Sequence, residues 1–466
     1  MTNTANMVHG FNSSSKLKEG EILSINDVGE AHPIANVLRG FLNVVDSYRT
    51  ALVVAIPAIA KDQNEKIKNA HKKILRFVAN TSDDGTKMLK AENAHEAKEM
   101  FDAIAEEDRL SEAKPLEVVV KSIFIGLFSE YDYFIGELLK AIYASNPALY
   151  KGLKREISLT DLLDFSSIDD IKRDILEKEI DAFRRDSYIE QFSALEQMFD
   201  IKTLTAFPEW PSFVEMAQRR NLMTHNGGVV SQQYLNVCQR QNVKFGSMPV
   251  IGSKLELDGK YLGDALLVVS KIGFMLAHTL WRKISPSDID VSNEEINSSV
   301  YDLLIRQRWR VAAAFGDFSL TDPIKRNIQD LTLKIRIINQ AIALKNLNRI
   351  DDVNRLLGSV DWSACLREFS LAKAVLAGDY AEAAMIIRGI GKQGELITEL
   401  GYHNWPLFND FRGTLEFQEA YEDVYGIPFK VKMSAEAQRE ENVKNEQPKS
   451  HQRKKRKGAD KSGTKK

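Results

Sequence analysis

The sequence predicts an all-α protein, and three observations support this fold class. Apolar residues recur at helical spacing along most of the 466-residue chain. The composition, with 44% hydrophobic and 27% charged residues, is that of an ordinary globular protein. Only "MPVIGSKLELDGKYLGDAL" has strand-like character, and it predicts a short β-ribbon around Asp258 and Gly259. A chain of this length exceeds a single ordinary core, so we expect roughly two or three domains.

Helical patterns fill the first part of the chain, and we expect residues 1–110 to form an N-terminal helical segment. One pattern runs from 34 to 79 and is broken by "ANTSDDG". Pro115 then opens an apolar stretch that lacks strict alternation and exceeds the length of a strand, so it predicts a buried helix. The stretch "FSSIDDIKRDILEKEIDAFRRDSYIEQFSALEQMFDI" predicts an amphipathic helix that starts at a serine cap. A second buried helix is predicted in "YLGDALLVVSKIGFMLAHTLWRKI".

The sequence changes in character after residue 290. The stretches "IINQAIALKNLNRIDDVNRLLGSV" and "EFSLAKAVLAGDYAEAAMIIRGI" each contain a small-residue helix, a polar turn (Asn348–Arg349, Gly378–Asp379) and a second helix. This pattern resembles tetratricopeptide-like hairpins, which stack into a binding surface, and an irregular helical domain fits it as well. We therefore predict a helical bundle over 111–288, a tetratricopeptide-like helical domain over 289–430 and a disordered basic tail over 431–466.

The basic tail is the strongest charge feature of the chain. The last stretch, "KSHQRKKRKGADKSGTKK", carries a net charge of +8, whereas residues 1–448 carry −10. A basic arm on an acidic body can bind nucleic acid by releasing counterions, and it can equally serve only to keep the protein soluble. The tail residues that we expect to contact RNA are Arg453, Lys454, Lys455, Arg456 and Lys457.

Several classes of protein lack support in the sequence. Cys238 and Cys365 have no metal-ligand spacing and favour a reducing compartment over a disulfide scaffold. No signal-peptide core precedes the fold, and the apolar run "ALVVAIPAIA" is too short to span a bilayer and contains Pro57. The sequence has no P-loop, no dinucleotide fingerprint and no Cys/His cluster. We expect a cytoplasmic protein with no membrane partner, no cofactor and no metal.

The stretch "EMAQRRNLMTHNGG", residues 215–228, is the candidate catalytic segment. On a helix, Asn221 and His225 are one turn apart and share a face, so the amide could orient the imidazole. Arg220 precedes His225 by five positions, about 140° around the axis. Gly227 and Gly228 can adopt left-handed conformations and end the helix there. A polar helix with a glycine stop is the plain alternative.

The sequence around the motif indicates a family more specifically than the spacing of Arg and His does. "RRNLMTHNGGVV", with "DIKRDILEKEIDAFRRDSYIEQFSALEQMF" before it and "GSKLELDGKYL" and "TLWRKISP" after it, resembles the HEPN superfamily. The resemblance is narrower to bacterial HEPN-like proteins with an "RRNLxxHNxGVV" core, and it covers roughly residues 115–285. It implies a bundle of about four or five helices that dimerises around an Arg-polar-x3-His motif. Many such proteins are metal-independent endoribonucleases in toxin–antitoxin or antiphage systems, and some members bind RNA or nucleotides without cutting.

Carried over to this chain, the resemblance implies that Arg220 and His225 are catalytic, with Asn221 as the polar residue after the arginine. These residue types suit RNA cleavage. Histidine can take the proton of a ribose 2′-hydroxyl, and arginine can stabilise the phosphate without losing its own proton. We expect Arg219 to contact RNA beside them. The alternative function is a non-catalytic helical adaptor that binds RNA or a protein.

A homodimer is the expected working unit, because one helix cannot easily direct both side chains to one phosphate. Four flanking residues are expected to supply its apolar interface: Phe213, Met216, Leu222 and Met223. A further protein partner or antitoxin is expected on the C-terminal helical domain.

Five further features have weaker functional interpretations. Glu130 and Asp132 either position His225 or lie on a solvated helix face. Glu215 is expected to pair with Arg219 at the surface, an interaction of about a few tenths of a kcal/mol. His278 is expected to be a core histidine. The segment "HNWPLF", with Trp405, Pro406 and Phe408, is expected to be a packed corner.

Overall fold

The computed structural model of the protein describes residues 32–82, 85–153 and 156–430. The chain divides into two compact units, and the division lies between Asp361 and Trp362. The expected boundary at 288/289 therefore lies inside the first unit, and the division instead separates the two predicted hairpins. The tail residues Arg453, Lys454, Lys455, Arg456 and Lys457 lie outside the described residues.

The described regular structure is helical apart from one small sheet, which confirms the all-α prediction. The first unit contains α1 (Pro33–Ile74), α2 (Ala94–Glu112), α3 (Pro115–Ser145), α4 (Leu159–Leu163), α5 (Ile168–Phe183), α6 (Tyr188–Met198), α7 (Trp210–His225), α8 (Gln232–Arg240), α9 (Gly259–Ile284), α10 (Ile289–Ile305), α11 (Trp309–Ser319), α12 (Asp322–Lys325), α13 (Asp330–Asn346) and α14 (Ile350–Leu357). The second unit contains α15 (Arg367–Ala377), α16 (Tyr380–Ile390), α17 (Glu399–Asn404) and α18 (Leu415–Tyr425).

The small sheet lies between α1 and α2, where β1 (Val78–Thr81) pairs antiparallel with β2 (Lys87–Leu89). The ribbon predicted around Asp258 and Gly259 is not found at those residues, and the β pairing in the described part of that stretch is one isolated antiparallel bridge between Lys254 and Val229. The Asp258 carboxylate accepts the Tyr261 backbone N–H at 2.6 Å and thereby caps α9, and Gly259 is the first helical residue. An aspartate before a glycine suits a turn and a helix start alike, and the helical spacing of the apolar residues that follow decides for the helix.

The core of the bundle is built around α3, against which α1, α7 and α9 pack. Five of its aromatic residues have an exposed fraction of at most 1%: Phe124, Phe128, Tyr131, Phe134 and Phe213. A helix that is apolar on most of its faces is stable only when it is enclosed. The predictions of buried helices at α3 and α9 are confirmed.

The amphipathic helix predicted after "FSS" is two helices. Its start is confirmed, because the Ser167 hydroxyl accepts the Asp170 N–H at 3.1 Å. The chain then leaves the helix after Phe183 and restarts at Tyr188 through a capping box. In that box the Glu190 carboxylate accepts the Ser187 N–H at 2.9 Å. The sequence Ser187-x-x-Glu190 carries this signal.

Both predicted helix pairs form. The turn between α13 and α14 contains Asn348 with φ of 58°, and the turn between α15 and α16 contains Gly378 with φ of 79°. These are the predicted turn positions, and asparagine and glycine tolerate the left-handed region best. The pairs belong to different units, and the tetratricopeptide likeness beyond the pairing of helices stays a prediction.

Two described helices are long and apolar enough to cross a membrane by length and composition alone: Pro33–Phe77, which includes α1, and Gly259–Ile284. The apolar window of α9 is 67% buried inside the bundle, as expected for a core helix. The window of the first helix is 6% buried, and Val53 and Val54 are exposed there. The expected lack of a membrane partner stays a prediction.

Candidate functional site

Helix α7 carries the candidate motif and ends where the glycines predict. His225 is its last residue, and Gly227 and Gly228 follow with φ of 61° and 84°. The Gly228 N–H then donates to the Leu222 carbonyl at 3.0 Å, which returns the chain towards the helix. Positive φ is strained for residues with a side chain, so the glycine pair fixes where the motif helix stops.

The Arg220 side chain leaves α7 towards α3 and α6. Its Nη2 donates to Oδ2 of Asp132 at 2.9 Å and to the hydroxyl of Tyr188 at 3.4 Å. Its Nη1 donates to Oδ1 of Asn221 at 3.2 Å. The Tyr188 hydroxyl in turn donates to Oδ1 of Asp132 at 2.6 Å. We call these four residues, Arg220, Asn221, Asp132 and Tyr188, the Arg220 cluster.

Burial controls the protonation of the cluster. It raises the pKa of Asp132, and it outweighs the hydrogen bond from Tyr188 and the attraction of Arg220 and Arg184, which act in the opposite direction. Burial and the neighbouring Asp132 charge raise the pKa of Tyr188 well above its ordinary value. Tyr188 therefore remains a neutral O–H donor at physiological pH.

A second guanidinium lies beside the cluster. Arg184 follows α5, and its Nε and Nη2 donate to the carbonyls of Asp132 and Tyr133 at 3.1 and 3.3 Å. Its guanidinium lies against Gly136, where an added Cβ would come within 1.8 Å of Nη2. Glycine at 136 is what allows this close approach to α3.

His225 is exposed at the end of α7. No hydrogen bond or ion pair joins its ring to Arg220, to Asn221 or to any other described residue. Among the described residues, Asn221 does not make the expected contact with His225. The Asn221 amide oxygen accepts a hydrogen bond from Arg220 instead. Asp132 likewise contacts Arg220 and not His225, whereas Glu130 lines a separate cavity between α1 and α3.

Arg219 belongs to a different network on another face of α7. Its Nε donates to Oε1 of Glu215 at 2.8 Å, and its guanidinium carbon lies 3.9 Å from the ring centroid of Tyr261. Glu215 also accepts the hydroxyls of Tyr234 and Tyr261 at 2.6 and 2.7 Å. The pairing of Glu215 with Arg219 is confirmed, but its surface location is wrong, because Glu215 is 7% exposed. The expected RNA contact of Arg219 gains no support from this geometry.

The apolar dimer interface predicted from the sequence is wrong. Its four residues are at most 7% exposed in the single chain: Phe213, Met216, Leu222 and Met223. They are buried because α3, α6, α8 and α9 all pack against α7. These four side chains therefore offer little apolar area to a second copy.

The remaining sequence candidates are structural. His278 is fully buried, its Nδ1 lies 3.0 Å from the Ser292 hydroxyl, and burial lowers its pKa to about 3, which confirms a core histidine. Trp405, Pro406 and Phe408 are buried, as expected. Among the described residues, no group of three or more His, Cys, Asp or Glu side chains could hold a metal ion.

Two of the contributing residues could not be identified from the sequence. Tyr188 and Arg184 sit in "FRRDSYIEQF", and the only readable signal there is the capping box that sets where α6 begins. Comparison of the chain with protein-family models, with curated proteins and with solved structures found no match.

Proposed function

We propose that this protein is a metal-independent endoribonuclease of the HEPN type, with His225 as general base and Arg220 on the scissile phosphate. The supporting observation is that one helix carries both an anchored guanidinium and an exposed imidazole. Asp132 and Tyr188 hold Arg220, and His225 stands at the helix end within "RRNLMTHNGGVV". The described part of residues 115–285, which carry the HEPN resemblance, is predominantly helical, as that family would require.

The proposed chemistry uses only these two side chains. His225 takes the proton from a ribose 2′-hydroxyl, the 2′-oxygen attacks the adjacent phosphorus, and the bond from phosphorus to the 5′-oxygen breaks. The leaving 5′-oxygen takes a proton from water, so the products are a 2′,3′-cyclic phosphate and a 5′-hydroxyl. The phosphate gains negative charge as the attack proceeds, and the permanently charged Arg220 guanidinium stabilises it through N–H donors. The biological setting that we propose is antiphage defence or toxin-like growth arrest.

Cleavage of single-stranded RNA by the purified protein tests this function. We expect cleavage to persist in excess EDTA, because neither step requires a metal. An oligonucleotide with a single 2′-deoxy nucleotide at the cut site should resist, because the nucleophile is missing. Inhibition by EDTA, or equal cleavage of the 2′-deoxy substrate, would overturn the mechanism.

We further propose that the active unit is a homodimer. Arg220 is held against α3 and α6 of its own chain, whereas His225 is exposed and has no described partner. Two copies related by a two-fold axis can bring the arginine of one to the histidine of the other.

Complementation tests the composite site. Arg220→Ala and His225→Ala are each expected to be inactive alone, and mixing them after subunit exchange should restore part of the cleavage activity. The restored activity should vanish below the dissociation concentration of the dimer. Full activity of a monomer, established by sedimentation at the assay concentration, contradicts the proposal.

A non-catalytic adaptor is the second candidate, and one observation favours it. The charge of Arg220 is already paired with Asp132, and no described residue orients His225. Such an adaptor would bind RNA through the basic tail or a protein through the C-terminal helical pairs, without cutting. It predicts RNA binding with no cleavage under any of the conditions above.

A further inference from the structure

The described neighbours of Arg220 use only some of the N–H donors of its guanidinium. A guanidinium has five N–H donors. In the described residues, Nη2 uses both of its donors, on Asp132 and Tyr188, and Nη1 uses one, on Asn221. The Nε donor and one Nη1 donor remain, and the side chain keeps 23% of its surface exposed. The arrangement therefore fixes the group and still leaves donors for a ligand.

The two acceptors that bind Nη2, on Asp132 and Tyr188, belong to well-packed helices. Tyr188 is the first residue of α6, immediately after the capping box that sets the start of this helix. Its ring centroid lies 5.8, 5.8 and 5.3 Å from those of Phe128, Tyr131 and Phe213. Asp132 directly follows the fully buried Tyr131 on α3. A group held by two acceptors on separate packed helices has little freedom to reorient.

Burial opposes the charge of Asp132. Its pKa is raised, so folding favours the protonated over the ionised carboxyl relative to the unfolded chain. Ionised groups that are kept against the cost of burial are typical of functional sites.

We propose that Asp132 and Tyr188 are positioning residues, which hold the Arg220 guanidinium in the orientation that meets the scissile phosphate. This role rests on the proposed ribonuclease function. The opposite interpretation of the same contacts is that the ion pair masks Arg220 and keeps the site inactive. The two interpretations predict changes of opposite sign when the contacts are removed.

The test compares Asp132→Asn and Tyr188→Phe with wild type in steady-state cleavage of RNA. Each variant should lower kcat by about tenfold to a hundredfold, because a small misplacement of a catalytic group has effects of this size. KM should stay within about twofold, because the loss concerns the transition state. Glu137→Gln on α3 and the buried Tyr143→Phe are the matched controls, and both should retain wild-type kcat. Urea denaturation should show that both variants are folded under the assay conditions.

A second readout does not depend on cleavage. In protein labelled with 15N-arginine, the Arg220 side-chain resonance, assigned with Arg220→Lys, should show restricted rotation in wild type and faster rotation in Asp132→Asn. Unchanged rotation overturns the positioning role, whether or not the wild-type protein cleaves RNA. A raised or unchanged kcat in Asp132→Asn also overturns it. The wild-type protein could show restricted rotation that Asp132→Asn relieves and still cut no RNA. That result would support the role of Asp132 in holding Arg220 and would overturn only the proposed ribonuclease function.

Discussion

Replacing His225 by alanine is expected to lower the rate of RNA cleavage by about 10²- to 10⁴-fold, the usual effect of losing a general base. The fold should be unaffected, because the side chain is exposed and has no hydrogen-bond partner among the described residues. His95→Ala is the matched control, since His95 is also exposed on a helix and its side chain keeps 82% of its surface accessible. Undiminished cleavage in His225→Ala would rule out the mechanism and favour the adaptor.

Arg220→Ala should produce a loss of the same order, because the phosphate then lacks its main cation. Arg220→Lys separates charge from geometry. A lysine restores the charge but cannot reach Asp132, Tyr188 and Asn221 with a planar group, so we expect it to recover little activity. Near wild-type cleavage by Arg220→Lys would mean that charge alone is sufficient.

Replacing Glu215 by alanine is expected to lower the free energy of unfolding by about 3–5 kcal/mol, the typical result of breaking a buried ion pair. Glu215 is 7% exposed and accepts hydrogen bonds from Arg219, Tyr234 and Tyr261. Its loss leaves a guanidinium that is only 14% exposed without its carboxylate and removes the acceptor of two tyrosine hydroxyls.

Urea denaturation followed by tryptophan fluorescence measures this effect. Glu117→Ala is the matched control, because Glu117 forms an exposed ion pair with Lys254 and such pairs contribute little to stability. A decrease for Glu215→Ala no larger than for Glu117→Ala would show that the three donors find other partners. Because Glu215 joins α7 to α8 and α9, its loss should also loosen the helix that carries the motif.

Long helices were the most predictable part of this fold. The apolar residues of α3 and α9 extend too far for strands and cover most of each helix, so burial in a helical bundle follows directly. Turns and helix caps were harder to tell apart from the sequence. Asp258–Gly259 has the composition of a hairpin turn and serves as a helix cap, while the sheet formed where a helix break was expected.

The candidate site was predictable only along its own helix. Arg220, Asn221 and His225 lie within one continuous motif, whereas Tyr188 and Asp132 lie 32 and 88 positions before Arg220. Nothing in the sequence indicates which of 13 tyrosines meets the arginine, because that contact depends on how α3, α6 and α7 pack. Burial of the four expected interface residues also depends on the helices around α7, which a single helical pattern does not reveal.

The ion pair between Arg220 and Asp132 has a consequence for how fast RNA could arrive. Seen from more than a Debye length, about 8 Å at physiological ionic strength, the paired charges largely cancel, so the candidate site exerts little pull on a distant polyanion. The −10 charge of residues 1–448 opposes the approach of RNA. The strongest concentration of positive charge for electrostatic steering is the +8 carried by the last eighteen residues. In the proposed enzyme, the association rate and the chemical step would thus depend on separate parts of the chain, and salt would slow the former far more than the latter.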